Sequence, residues 1–170
     1  VAASDARVKE LPEPTREQLV QLRELYGATL AELGWAPATM KLVGGLAHLN
    51  AYYLDNIPAA DSLLQDAIRL PDLDFKQDML GHEARLRNAK VSFYAGDFLW
   101  AQGQLDVLKA STSKLIANDA LDLSLLITDN LGADTVNGPL NLFAKAQLFT
   151  ARHQYDSCLA VLDTLVARFP

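Results

Sequence analysis

The 170-residue chain has a single cysteine, Cys158. No internal disulfide can form, and a lone thiol says little about compartment. No stretch approaches the roughly 18 consecutive apolar residues of a membrane span. A basic excess is also missing. The net charge is −6, which argues against a nucleic-acid backbone as partner, since such binding rests on clustered Lys and Arg. No run of like charge is long enough to be a tail. Histidines number three. His48 and His153 have no acidic or thiol companion at ligand spacing. His82-Glu83 opens like a zinc-protease helix, but that motif needs a second His three residues after the Glu, and Leu86 stands there. The pair reads instead as a helix N-terminus, with Glu83 meeting the dipole. Gly132 and Gly138 flank a loop without the strand-then-helix context of a phosphate cradle, and no Ser-His-Asp order stands out. The sequence therefore offers no catalytic, cofactor-binding or metal-binding residue.

What is present is helical. Half the residues are apolar, with Leu and Ala, both strong helix formers, dominant. Charged residues make up 21%, which suits a globular chain. The length fits one domain with a sizeable core. Residues 1–14 are polar, carry Pro12 and Pro14, and read as a mobile lead-in to a single helical domain over 15–170. Thr15-Arg16-Glu17-Gln18 has the form of a capping box. Leu19, Leu22, Tyr26, Leu30 and Leu33 then mark one face of a helix ending at Gly34. A second helix starts near Pro37 and runs to Tyr53, completing a pair over about 15–54. Gly44-Gly45 inside it marks a close helix crossing, a bend or merely tolerated glycines. Asn56 ends that helix and Pro58 begins the next, giving a pair over 42–70. Residues 71–80 read as a connection. A central pair spans about 82–95 and 98–110. An extra helix covers 113–131, with Asn118-Asp119 able to interrupt it. After a loop at 132–139 comes a last pair, about 139–152 and 155–168.

The centre of the pattern is Gly96-Asp97-Phe98-Leu99-Trp100-Ala101. The glycine can end one helix in the left-handed conformation. Asp97 can cap the next, and Ala101 is small enough for a helix crossing. Aligned on that small residue, Ala60, Ala101 and Cys158 are each followed four positions later by Leu64, Leu105 and Leu162. Seven positions on come Ala67, Leu108 and Leu165. This resembles the tetratricopeptide (TPR) repeat. Ala89 and Ala146 match its small residue before the turn, Phe149 its aromatic, and Pro170 its closing proline. Ser92 stands where the second segment should carry an aromatic, His153 replaces the third turn glycine, and the first turn counts one residue short. The spacing between segments exceeds the family's roughly 34 residues. The stretch from Gly81-His82-Glu83-Ala84-Arg85 to Ile127-Thr128-Asp129-Asn130 resembles part of long bacterial TPR-repeat proteins, which are often exported.

The resemblance implies an all-α fold of seven or eight helices, stacked as antiparallel pairs into a right-handed α-solenoid. It implies a non-enzymatic scaffold that binds a protein or peptide partner on its concave face. A structural spacer within a larger protein is the alternative, and an all-helical enzyme domain a more distant one. The family's groove positions fall on Asn50 and Tyr53, on Arg87, Lys90 and Tyr94, and on Gln147. An exported or envelope location is implied by resemblance alone, with the cytoplasm left open. The closing Pro170 and the lack of a capping helix suggest a fragment of a longer solenoid. On that reading the last helix leaves an apolar face for self-association. Sedimentation velocity should then show an s-value that rises with concentration; a clean monomer at high concentration would remove that expectation.

Overall fold

The computed structural model describes residues 13–69, 79–111, 113–131 and 138–169. The sequence expectations for the lead-in, for most of the 71–80 connection, for the 132–137 loop and for Leu70 and Pro170 lie outside the described residues. Within them are eight α-helices and no strand. They are α1 Arg16–Leu33, α2 Met40–His48, α3 Ile57–Ile68, α4 Met79–Ala95, α5 Phe98–Leu108, α6 Lys114–Asn130, α7 Gly138–Ala151 and α8 Tyr155–Arg168. A 3₁₀ turn, Pro37–Thr39, leads into α2, and a π-helical turn, Leu49–Tyr53, extends it. Each helix packs on the next where both are described, and α4 also meets α2, α6 and α7. The arrangement is a pairwise helix stack, consistent with a helical solenoid.

Local chemistry sets the ends. The Thr15 hydroxyl accepts from the Gln18 N–H while the Thr15 N–H donates to Gln18 Oε1, which completes the capping box. Helix α4 begins three residues before the expected start, so Glu83 lies beyond its first turn and the dipole reading of that residue falls away. Helix α6 is continuous through Asn118-Asp119.

The three turns that precede the small residues Ala60, Ala101 and Cys158 share one construction. The residue five before each small residue has positive φ: Asp55 at 57°, Gly96 at 84° and His153 at 58°. The next residue is an N-cap in each case. Its carbonyl accepts from the small residue four positions on: Asn56 from Ala60, Asp97 from Ala101, Gln154 from Cys158. Asn56 and Asp97 also cap through their side chains. The first turn is therefore not one residue short. The discrepancy arises upstream, where the π turn holds one extra residue. Its signature is the closing bond, Asn56 N–H to the Asn50 carbonyl, where the other turns close from Asp97 to Ser92 and from Gln154 to Phe149.

Ala60, Ala101, Leu64, Leu105, Ala67 and Leu108 are buried. The main core joins α4 to α7 through Phe93, Phe98, Ile127 and Leu140, among others. The third segment differs: Cys158 is buried against Thr150, but Leu162 and Leu165 are only half-buried, because among the described residues α8 packs chiefly on α7.

A polar network ties the first two pairs together. The Asp61 carboxylate on α3 accepts from Ser92 Oγ at 2.6 Å, Asn88 Nδ2 at 3.2 Å and Gln65 Nε2 at 2.7 Å. The Asn88 carbonyl in turn accepts from Trp100 Nε1. Ser92 and Asn88 are fully buried. Buried polar groups of this kind need partners, and here each finds one on a neighbouring helix.

Helix α7 departs from a regular stack. Its first turn lies at the α4 end, where Asn141 Oδ1 stands 2.7 Å from the position a side chain on Gly96 would take. Its last turn reaches the end of the π turn. There the Arg152 guanidinium donates from Nε and Nη2 to the Ala51 carbonyl and from Nη1 to Asp55. Helix α7 thus runs across the turn ends of the two preceding pairs. The Arg152 side chain is only 5% exposed, and it supplies donors to carbonyl oxygen left open where the helix stops.

The crossing residues give a direct test. Ala101→Leu should overpack the α4–α5 crossing and lower stability by about 1–3 kcal/mol. Leu105→Ala should open a cavity worth about 2–5 kcal/mol. Urea melts that match wild type for both variants would place residue 101 away from a crossing.

Candidate functional site

Between α2 and α4 lies an open cavity of about 830 Å³. Its floor is apolar: Met40, Ala47, Leu64, Leu80, Ala84 and Val91. Its polar groups are Lys41 and His48 from α2, Tyr52 from the π turn, and Glu83, Arg87, Lys90 and Tyr94 from α4. Ala151, at the end of α7, lines the cavity near the π turn. A second, smaller cavity of about 340 Å³ lies between α4, α6 and α7. Lys90, Tyr94, Asp119, Asp122 and Gln147 border it. Lys90 and Tyr94 thus form the wall between the two.

Helical spacing explains the alignment on α4. Glu83, Arg87, Lys90 and Tyr94 stand three or four residues apart, so they share one face. The opposite wall is built from a gap. An ideal Cβ on Gly44 would collide with Nη1 of Arg87. The missing side chain lets the guanidinium settle on the α2 backbone. Gly44 therefore admits the end of a side chain, where the sequence suggests a close crossing of helices, a bend or a tolerated glycine. Gly45 plays a parallel part toward the Tyr26 ring, 3.1 Å from its own Cβ position.

Among the described residues Arg87 has no hydrogen-bond or ion-pair partner, whereas Lys90 Nζ is 3.2 Å from Asp119 Oδ2. Burial, helped by the Arg87 charge, holds His48 below the usual imidazole range. It is therefore neutral at pH 7, and its ring stacks at a tilt on Tyr52, 4.7 Å between centroids. Tyr52 and Tyr94 meet edge to face, 6.4 Å between ring centroids. Desolvation, with the neighbouring phenol adding to it at Tyr94, pushes Tyr94 well above the usual phenol range, and burial also raises Tyr52. Both remain protonated at neutral pH. The cavity thus presents Arg87 and Lys41, a third cation, Lys90, shared with α6, the Glu83 carboxylate, and neutral phenols above an apolar floor. That set can hold an anionic group by charge-assisted hydrogen bonds while an apolar group occupies the floor.

The residues expected from sequence fall in different places. Arg87, Lys90 and Tyr94 come together in the larger cavity, and Gln147 joins Lys90 and Tyr94 across the smaller one. Tyr53 is exposed beside His48, outside both cavities. Asn50 is buried, and its amide donates back to the Leu46 carbonyl, so it stabilises the helix instead of facing the groove. His48, Tyr52, Lys41 and Glu83 line the cavity without having been expected there. The one-residue slip between Tyr52 and the first turn was the signal in the sequence for those before that turn, and Glu83 on α4 had none. His82 is buried with Nδ1 2.8 Å from Ser111 Oγ, a structural role.

No family model, curated protein or solved structure matches the chain. Among the described residues no helix is long and apolar enough to cross a membrane.

The Gly44 slot separates site from scaffold. Gly44→Ala should leave the melting midpoint unchanged or raise stability by up to about 1 kcal/mol through helix propensity, because only the end of a flexible side chain must move. The same change should shift the NMR signal of the Arg87 Nε–H. An undisturbed Arg87 signal would show that the guanidinium is not seated on α2.

Proposed function

We propose that the chain is a TPR-like interaction module and that the α2–α4 groove binds a short acidic segment of a partner protein. The observation that carries this reading is Arg87. It is a cation with no ionic partner among the described residues, held over a glycine at the edge of an apolar cavity, in a chain of net charge −6. The cavity volume falls within the few hundred to about 1,000 Å³ typical of binding sites. The thrice-repeated turn supports the helical-repeat assignment, and a concave face between first helices is where such stacks receive extended or helical segments. Lys90 three residues from Arg87, with Tyr94 one turn further, supplies the groups that would hold a carboxylate.

One observation favours the alternative of a structural spacer. Helix α7 already crosses the turn ends, and Ala151 lines the cavity on that side. The two readings part on a binding experiment. A library of displayed peptides should yield acidic, apolar sequences on the wild-type protein. Arg87→Glu/Lys90→Glu should weaken each by roughly tenfold or more. Unchanged capture by the double variant would place any binding face elsewhere, and a library with no binders would favour the spacer.

A further inference from the structure

We infer that Asp119 is an internal competitor for Lys90, so that the α4 wall of the groove has one cation without an ionic partner among the described residues and one that a ligand must win from α6. The inference rests on the binding reading above and concerns which ligands the groove selects.

Of the three cations that line the groove, Lys41 belongs to α2, and the two on α4 are held differently. Arg87 lies on the α2 backbone over Gly44, with no carboxylate paired to it among the described residues. Lys90 stands in the wall between the cavities, and its ammonium faces the smaller one, 3.2 Å from Asp119 Oδ2. Asp122, three residues along α6, borders the same smaller cavity and adds negative potential there. Both partners of the pair are substantially exposed, Lys90 at 39% and Asp119 at 41%. An ion pair that exposed is weak and exchangeable. A four-carbon stem between the cavities lets the ammonium turn to either side. Helix α6, the element in excess of the paired pattern, thus supplies a carboxylate that imitates the acidic group of a ligand.

Selectivity by charge number follows. A ligand with one carboxylate is satisfied by Arg87 and leaves Lys90 with Asp119. A ligand that seats two carboxylates against α4 must draw Lys90 across the wall, and its affinity is reduced by the strength of the internal pair. Removing the Asp119 charge should therefore help a dianion and leave a monoanion nearly unaffected.

The test uses two small probes with the same apolar group, N-acetyl-leucyl-glutamate with two carboxylates and N-acetyl-leucyl-glutamine with one. Binding is read by NMR from the Arg87 Nε–H and the Lys90 Cε signals. In Asp119→Asn the dianion should bind about two- to fivefold tighter, the worth of a half-exposed pair, and the monoanion should change by less than that. The Lys90 signal should move on dianion binding, and in a Lys90→Met background Asp119→Asn should have no effect. A gain of equal size for both probes, or one that persists in Lys90→Met, would show a general field effect and overturn the inference. If both probes move Arg87 but Asp119→Asn alters neither affinity, the groove stands and the competition falls. If neither probe perturbs Arg87 in any variant, the binding reading fails, and this inference with it. Asp119→Ser serves as a second variant should the asparagine disturb α6, with a thermal melt as the control.

Discussion

The carboxylate of Asp61 fixes the frame on which the groove is built. It gathers donors from α3 and α4, and Asn88 extends the chain of bonds to Trp100 on α5. Three helices thereby acquire a single relative register. Apolar packing alone would allow α4 to slide or rotate at modest cost, because leucines and alanines are exchangeable contacts. Hydrogen bonds to fully buried Asn88 and Ser92 forbid it, since any slip would leave buried polar atoms unpaired. Arg87 and Lys90 are carried by the same helix, so their aim across the groove is set by this network. The Arg69 guanidinium above the Trp100 ring, 5.5 Å from its centroid, covers the network's outer edge.

Burial and polarity divide the α4 helix in an unusual way. One face carries Ala89, Phe93 and the core contacts to α5 and α6. Another carries Asn88 and Ser92 toward α3, and a third carries the groove residues. A helix engaged on three sides has little freedom to drift. The helices at the edge of the stack differ. Leu25 and Leu33 of α1 and Leu159 and Val166 of α8 remain exposed.

What the sequence disclosed and what it concealed follow from range. Features decided within a few residues were readable: the Thr15–Gln18 box, the Gly96-Asp97 turn, the small residue at each crossing. Each is a local competition between backbone conformations, and the residues that win it are few. The Ser92 departure from the repeat pattern was visible as an anomaly, and it marks the place where the Asp61 network enters. The inward turn of Asn50 was not readable, because it depends on a π turn that shifts the helical phase by one residue within five. Tyr52 and His48 were missed for the same reason: a phase error of one residue moves a side chain by about 100° around the helix. The path of α7 was beyond reach altogether. Nothing near Arg152 in the sequence indicates that its partners are Ala51 and Asp55.

That clamp has a consequence for how the molecule comes together and apart. Stacked helical pairs ordinarily make contacts only with sequence neighbours, so they fold by local propagation and fray from their ends. Arg152 and Ala51 lie 101 residues apart. Closing a segment of that length costs roughly 4 kcal/mol in chain entropy before any constant term, which raises the contact order of an otherwise local topology. Once closed, the clamp joins the last turn to the first. Helix α7 then cannot peel away without releasing a guanidinium that is almost wholly buried, so it is tied to the first turn as well as to its neighbours in sequence.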